Sequence, residues 1–444
     1  MAKSLRYWIR LTLAFFDRFK LIFLFGIIIG IVCFVLFGII ESRMPIAVEK
    51  IGIVGEYTSD NLPRSITDLI SVGLTTVDVS GEAQSGIAQS FIASDSGKTW
   101  TFNLNKNLYW QDGSQVTSHD INYNFSDATL SKPDKYTVVF KLKTGLASFP
   151  VTLSKPIFKS GLLGTGDWKV VNLTLAGNYV DTISLENKQK QEKIFKFYPT
   201  SDAARLGYEL GEINDLTNLV NPKPFDTWNV ASISGQINKQ QYVAVFFNNS
   251  DSLLTDKDIR QALSYAIDKS DYKNNRALGP ISPFSWAYDP SVKPYDFDIT
   301  HAKDLIDGSK IDPSLKKNLK ITLTTIPDLL DLANKIANDW KQIGVQTTVQ
   351  VLQFVPDPSQ YQAYLAITNI PLDPDQYLNW HSTQTSTNIT QLKDPRIDKL
   401  LEDGRLETDE TKRKAIYFDF QKYLVEDAPA AFLYYPTYFN VAKK

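Results

Sequence analysis

The stretch AQSFIASDSGKTWTFNLNKNLYWQDGSQVTSHDINYNF, residues 88–125, decides how this chain is read. Residues 94–98 (SDSGK) form a turn cluster, and residues 99–104 (TWTFNL) place Trp100, Phe102 and Leu104 on one parity among β-branched and aromatic neighbours. That pattern predicts a half-buried strand. Asp112-Gly113 marks a second turn. Thr117-Ser118-His119-Asp120 then has the spacing of a capping box, in which Thr and an acid three residues later satisfy free backbone donors, so a helix is predicted to begin near Ser118.

The same segment resembles a signature of the family 5 extracellular solute-binding proteins, the peptide and oligopeptide receptors of ABC importers. The ordered matches are Ala88, Ser90, Gly97, Lys98, Thr99, Phe102, Leu104, Trp110, Asp112, Gly113, Thr117 and Asp120. A second block carries the resemblance further. Residues 242–249 (YVAVFFNN) form a continuously apolar run, as a strand covered on both faces requires, and residues 255–269 (TDKDIRQALSYAIDK) repeat Ile259, Ala262, Leu263, Ala266 and Ile267 along one helical stripe behind a Thr255 cap. Within this block Phe247, Asn248, Asp258, Arg260, Gln261, Ala262, Tyr265, Ala266, Ile267 and Asp268 match the family's pattern.

Composition is ordinary for a globular chain except at the N-terminus. Residues 21–40 (LIFLFGIIIGIVCFVLFGII) hold twenty positions without a charge, long enough at about 1.5 Å per residue to span a hydrocarbon core of about 30 Å. Five basic residues against Asp17 leave residues 1–20 at +4, and the positive-inside bias sets that tail in the cytoplasm and the rest outside. A cleavable signal peptide is the rival reading. Its apolar region is shorter and ends in a small-residue site, which residues 37–42 (FGIIES) match poorly; Cys33, preceded by Ile31-Val32, is likewise a poor lipoprotein cysteine. Gly26 and Gly30 form a GxxxG pair, a helix-dimerising spacing that is also common in single membrane helices. Residues 21–444 carry a net charge of −6, which argues against a nucleic-acid partner, and the lone Cys33 leaves the exported part without an internal disulfide.

Later segments fit the same frame. Residues 50–54 suggest a strand and residues 66–74 an amphipathic segment, and residues 136–142 (YTVVFKL) read as a strand. Only residues 126–134 separate that strand from the helix expected near Asp120, where the family carries a longer helical insertion. Gly164-Thr165-Gly166 meets neither nucleotide-loop spacing and reads as a turn. Residues 195–215 predict strand, helix and turn, with Ala203, Leu206, Leu210 and Ile213 as the buried side. Residues 319–325, 328–343 and 345–351 form a strand, helix, strand crossover with Gly344 ending the helix, which implies a parallel pair. Residues 395–406 and 409–427 read as two helices before a closing strand at 428–435.

The resemblance covers the chain from about residue 50 onward. It implies an α/β, periplasmic-binding-protein-like type II fold of two lobes with a hinge and an extra small domain, here preceded by one transmembrane helix. The expected division is a cytoplasmic tail at 1–20, an anchor at 21–40, a discontinuous first lobe at 45–70 and 165–235, a small inserted domain at 71–164, a second lobe at 236–430, and a return to the first lobe at 431–444.

No catalytic constellation is evident. His119, His301 and His381 are the only histidine bases, each with a plain structural or solvated reading, and without paired histidines or an exported cysteine neither a metal site nor a cofactor is expected. What the resemblance implies instead is closure of two lobes about an extended ligand whose backbone pairs with strand edges. Receptors of the family often hold the ligand's ammonium with an aspartate before a "DP" turn; with one inserted residue that place falls to Asn369, and Asp373 and Asp375 are either substitutes or residues that hold the turn. Trp110, Phe247, Trp286 and Trp380 are candidate pocket walls or core, and Asn248 a candidate backbone partner or a strand-end cap. The implied partners are a peptide ligand, an ABC permease with its ATPase, and the membrane through residues 21–40; the implied place is the cell membrane, single-pass, with the main domain extracellular or periplasmic. Surface sensing or peptide chaperoning on the same fold, and a peptidase, are the alternatives.

Overall fold

The computed structural model of the chain describes residues 48–352, 357 and 360–444, together with 18–20, 25–26 and 28–31. Most of the expected tail and anchor, Cys33 included, lies outside the described residues; among those described, no helix is long and apolar enough to cross a membrane.

Two sheets and a smaller third organise the rest. The first has the order β12-β18-β11-β1-β10-β9-β8, formed by β1 (Val48–Val54), β8 (Lys169–Ala176), β9 (Tyr179–Glu186), β10 (Glu192–Tyr198), β11 (Asp215–Leu219), β12 (Ala231–Ile237) and β18 (Thr437–Lys443). β1 runs parallel to β10 and β11, and Ile51, Ile53, Phe195 and Phe197 bury against Ile66 and Ile70 of the helix Arg64–Ile70.

The second sheet has the order β15-β14-β16-β13-β17, from β13 (Gln241–Phe247), β14 (Lys320–Thr325), β15 (Gln346–Val351), β16 (Ala363–Asn369) and β17 (Ala430–Tyr434). The apolar run of β13 finds its reason here. Val243, Val245 and Phe247 enter a core with Ile259, Leu263 and Trp340, while Tyr242, Ala244 and Phe246 enter another with Trp380, Phe420 and Phe432. Residues two apart share a face, so a central strand with cores on both sides must be apolar throughout. The crossover through the helix Leu330–Lys341 joins β14 to a parallel β15, and Gly344 sits at φ +80 beyond its end.

The small domain is a four-stranded antiparallel sheet, β4-β5-β7-β6, from β4 (Ala88–Ser94), β5 (Thr99–Leu104), β6 (Ala128–Asp134) and β7 (Thr137–Leu142), with a ribbon of β2 (Thr75–Val77) and β3 (Ala83–Ser85) beside it. The helix expected from Ser118 is a single 3-10 turn, Ser118–Asp120. Its capping box forms, with the Thr117 amide and hydroxyl both donating to Asp120 at 2.8 and 2.9 Å. Beyond it Ile121, Tyr123 and Phe125 pack into the domain core with a period of two, which draws the chain out along the sheet instead of into a helix. The short connector that follows contains strand β6.

Two further expectations change. The helix Ser201–Glu209 buries Ala204, Gly207 and Tyr208 and leaves Leu206 54% and Leu210 68% exposed. Gly207 decides the face, since a Cβ there would lie 2.2 Å from the Tyr198 hydroxyl, so the helix meets the sheet along its small residues. The helix Lys257–Tyr265 is capped by Asp256, whose carboxylate accepts from the Asp258 and Ile259 amides, and not by Thr255.

The chain passes between the two large sheets twice, at residues 237–241 and 434–437, and the Asn238 amide donates to the Pro436 carbonyl at 2.8 Å across the pair. β17 belongs to the second sheet, so the return to the first begins after Tyr434 and not at residue 431.

Candidate binding site

The turn after β16, residues 370–376, is where the second lobe meets the small domain. Asp373 accepts from the Asp375 amide at 2.8 Å and Asp375 from the Tyr377 amide at 3.1 Å, so each carboxylate shapes the loop that carries it. Each is also spent on an arginine. Asp373, 7% exposed, takes a two-pronged ion pair from Arg413 of the helix Glu410–Asp427, at 2.8 and 2.5 Å. Asp375 takes Arg405 Nε of the helix Pro395–Leu406 at 2.9 Å and the Ser148 hydroxyl at 3.3 Å. Burial pushes the Asp373 carboxyl up, opposed by the guanidinium; burial also works against the Arg413 charge, which Asp373 nonetheless holds above its usual range.

Across the seam the contacts are close. Gly81, at φ +92, approaches the Leu372 carbonyl so nearly that a Cβ would lie 2.1 Å from its oxygen. The Trp286 amide donates to the Ser80 carbonyl at 3.3 Å, and the Ala147 amide to the Arg405 carbonyl at 2.8 Å. Two cavities flank these contacts. The smaller, about 220 Å³, is walled by Phe91, Trp100, Trp286, Glu82, Glu410 and Arg413. Burial pushes the Glu82 carboxyl up, and Glu410 and Asp78 add to the effect. The larger, about 750 Å³, lies between Phe125, Leu146 and Phe149 of the small domain and Tyr377, Glu402 and Arg405 of the second lobe.

A family model described as bacterial extracellular solute-binding proteins, family 5 (middle region), matches residues 82–388, more than two thirds of the chain. The chain belongs to that family. Among curated relatives of this family 5 protein, the oligopeptide-binding protein AppA of Bacillus subtilis is 24% identical, covering 87% of this chain and 86% of AppA. The dipeptide-binding protein of Escherichia coli is 21% identical over 87% and 90%. The same fold is seen in the structure of Bacillus subtilis AppA in complex with a nonapeptide (TM-score 0.69, 21% identity, 90% and 94% covered) and in NikZ of Campylobacter jejuni in complex with Ni(L-His) (TM-score 0.73, 22% identity, 90% and 95% covered).

The residues singled out from the sequence of the family 5 protein are scattered by the structure. Trp286 and Asp373 line the smaller cavity, and Asp375 backs Arg405 at the larger one. Asn369 lies beside the crossings between the two large sheets, where it accepts from Gln241 Nε2 at 2.7 Å while Gln241 accepts from the Tyr438 hydroxyl at 2.6 Å. Trp110 is buried in the small-domain core, Phe247 against Trp340, and Trp380 among Phe246 and Phe432. Asn248 is buried, donating to the Tyr361 carbonyl at 3.0 Å and accepting from the Ser250 amide at 3.0 Å. Reasoning from sequence missed Arg405, Arg413, Glu82, Glu402 and Glu410. The signal for the arginines was the second-nearest spacing of Asp373 and Asp375 in a turn, a pair of charges that must find partners when the loop is buried.

His119 and His301 are exposed, and His381 is buried with Nδ1 accepting from the Thr383 amide at 3.2 Å. Among the described residues no group of three histidine, cysteine, aspartate or glutamate side chains is placed to hold a metal ion.

Proposed function

We propose that this family 5 protein is a membrane-anchored receptor of an ABC importer that binds peptides, or similarly extended solutes, as its lobes close, and hands them to a permease served by an ATPase. The observation that carries the reading is the seam. The second lobe and the small domain meet around cavities of about 750 and 220 Å³, and the chain crosses between the two large sheets at two neighbouring places, where a hinge would let the lobes part and widen them. The names of AppA and of the dipeptide-binding protein support peptides as the solute class. The uncharged run at residues 21–40 supports the anchor, which would hold the receptor near its permease at high effective concentration.

Denaturing the full chain purified from native membranes and identifying what it releases by mass spectrometry tests the ligand class. Co-purified peptides of similar length and mixed sequence are expected; a single non-peptide compound refutes the peptide reading. Alkaline extraction of those membranes should leave the chain in the pellet, and loss of the permease should abolish uptake of the same peptides.

A second reading, a surface peptide sensor, draws on Asn369 standing where the family carries an aspartate and on the short connector at 126–134. Uptake unaffected by loss of the chain, with a signalling partner recovered by crosslinking, would favour it.

A further inference from the structure

The sequence reads Leu206 and Leu210 as a buried stripe, yet both stand exposed, one turn apart, on the helix Ser201–Glu209 and at its C-cap. Their place in the first sheet decides what can reach them. The helix runs back from the end of β10 to the start of β11, and the Asn214 amide, four residues past Leu210, donates to the Lys50 carbonyl at 2.8 Å. Leu210 therefore sits at the end of the sheet where β1 begins. Val230, 66% exposed, lies at the same end, because Ala231 pairs with Lys443 and the Lys444 amide donates to the Val230 carbonyl at 3.0 Å. Half-buried Trp228 meets Phe225 edge-on at 5.0 Å beside it. Lys443 bridges the two apolar sides, with its Nζ 5.8 Å over the Tyr208 ring and 3.5 Å from where a Cβ on Gly211 would stand. The turn between β9 and β10, residues 187–191, projects past this end as well, since Val48, Glu192 and Glu186 share one register.

The length of the chain ahead of β1 brings this end to a bilayer. Only residues 41–47 separate the uncharged run from Val48, and seven residues reach at most about 25 Å when fully extended, while β1 carries the sheet about 23 Å further away. Residues 21–444 as a whole carry −6 and would be held off anionic headgroups. At this end the charges are interleaved instead, with Lys188 4.0 Å from Asp167 and Lys190 2.7 Å from Glu186. Exposed leucine and valine beside a half-buried tryptophan, with a lysine between them, suit the headgroup boundary: the apolar groups enter it and the ammonium reaches phosphate. We propose that Leu206, Leu210, Trp228 and Val230 rest on the phospholipid surface of the anchoring membrane and hold the first lobe in one orientation there. This goes beyond the receptor reading above and rests on its anchor. Because apolar side chains make the contact, it persists at high salt.

The test is fluorescence quenching on the full chain carrying Cys33→Ser, reconstituted in vesicles of phosphatidylcholine with a minor share of phosphatidylglycerol. A nitrobenzoxadiazole label is placed on Val230→Cys, or on Asn178→Cys in the turn between β8 and β9 at the opposite end of the sheet. Nitroxide-bearing lipid should quench the label at 230 and spare the one at 178, in low and high salt alike. Adding Leu210→Asp, at an exposed position, should lower the ratio of quenched to unquenched label at 230 about tenfold, the scale of one leucine side chain leaving an apolar surface, with the thermal midpoint in place. Equal quenching at the two positions, quenching abolished by salt, or quenching unmoved by Leu210→Asp each overturns the contact while leaving the anchor intact. A label at 230 shielded from water but untouched by the lipid quencher assigns this face to a protein neighbour and overturns it too. Release of the chain from the vesicles by an alkaline wash removes the anchor reading and this contact together.

Discussion

Replacing Arg413 by Met separates the two jobs of the turn at residues 370–376, its own stability and its service to the seam. The substitution keeps most of the side chain's volume but strands Asp373, a carboxylate 7% exposed that loses bonds at 2.8 and 2.5 Å. An uncompensated buried charge costs about 3–5 kcal/mol, and losing the bond from Arg413 Nε to the Gly404 carbonyl at 2.8 Å adds about 1 kcal/mol. We expect Arg413→Met to lose about 4–6 kcal/mol in urea unfolding at pH 7, a large part of the roughly 5–15 kcal/mol available to a domain. Two controls bound the argument. Adding Asp373→Asn removes the stranded charge, so the double variant should recover most of the loss. With the guanidinium gone, the Asp373 carboxyl rises further above its unfolded value; a group raised in this way is favoured when protonated, so the deficit of the single variant should narrow from pH 7 to pH 4. A loss below about 1 kcal/mol, or a double variant as unstable as the single one, would refute the account.

Two other outcomes follow from named contacts. Gly81→Ala sets a Cβ 2.1 Å from the Leu372 oxygen at a φ of +92, so the seam should fail to close; small-angle scattering should give a larger radius of gyration and titration about tenfold weaker ligand binding, and an unchanged radius would contradict the seam geometry. Lys269 Nζ is buried among the Ser264, Ile267 and Tyr295 carbonyls at 2.6, 3.0 and 2.9 Å, where burial, aided by Arg276, pulls it down to about 7 against the opposing Asp296, Asp339 and Asp268. The unfolded chain then binds more protons between pH 7 and about pH 10, so stability should rise across that window by up to about 1.4 kcal/mol per unit, and Lys269→Met should flatten the curve; a parent curve already flat would contradict it.

Local pattern carried much of the fold. The apolar run at 242–249, the stripe from Ile259 to Ile267 and the crossover ending at Gly344 are periodicities that a short window contains, and each element forms where it was expected. The errors arose where a distant residue chose between two local options. Tyr198 turned the Ser201–Glu209 helix onto Gly207, and the small-domain core drew Ile121, Tyr123 and Phe125 into extended backbone. The site was less legible for a related reason. An aromatic side chain has the same appearance in a core as in a cleft, so Trp110, Phe247 and Trp380 were marked on equal terms with Trp286. The commitment of Asp373 to an arginine forty residues away is a fact of tertiary structure alone.

Strand β18 lies inside the first sheet, between β12 and β11, although it follows the whole second lobe in the chain. As the polypeptide emerges, β1, β10 and β11 can pair early, but β12 must wait with an open edge until some two hundred residues have been made and the last strand arrives to fill the gap. The second lobe, by contrast, has all five of its strands in hand before β18 appears. The order of assembly is therefore the reverse of the order in which the lobes begin, and a chain stopped just short of Thr437 would carry a finished second lobe on a first lobe whose edge strand β12 is cut off from the other five.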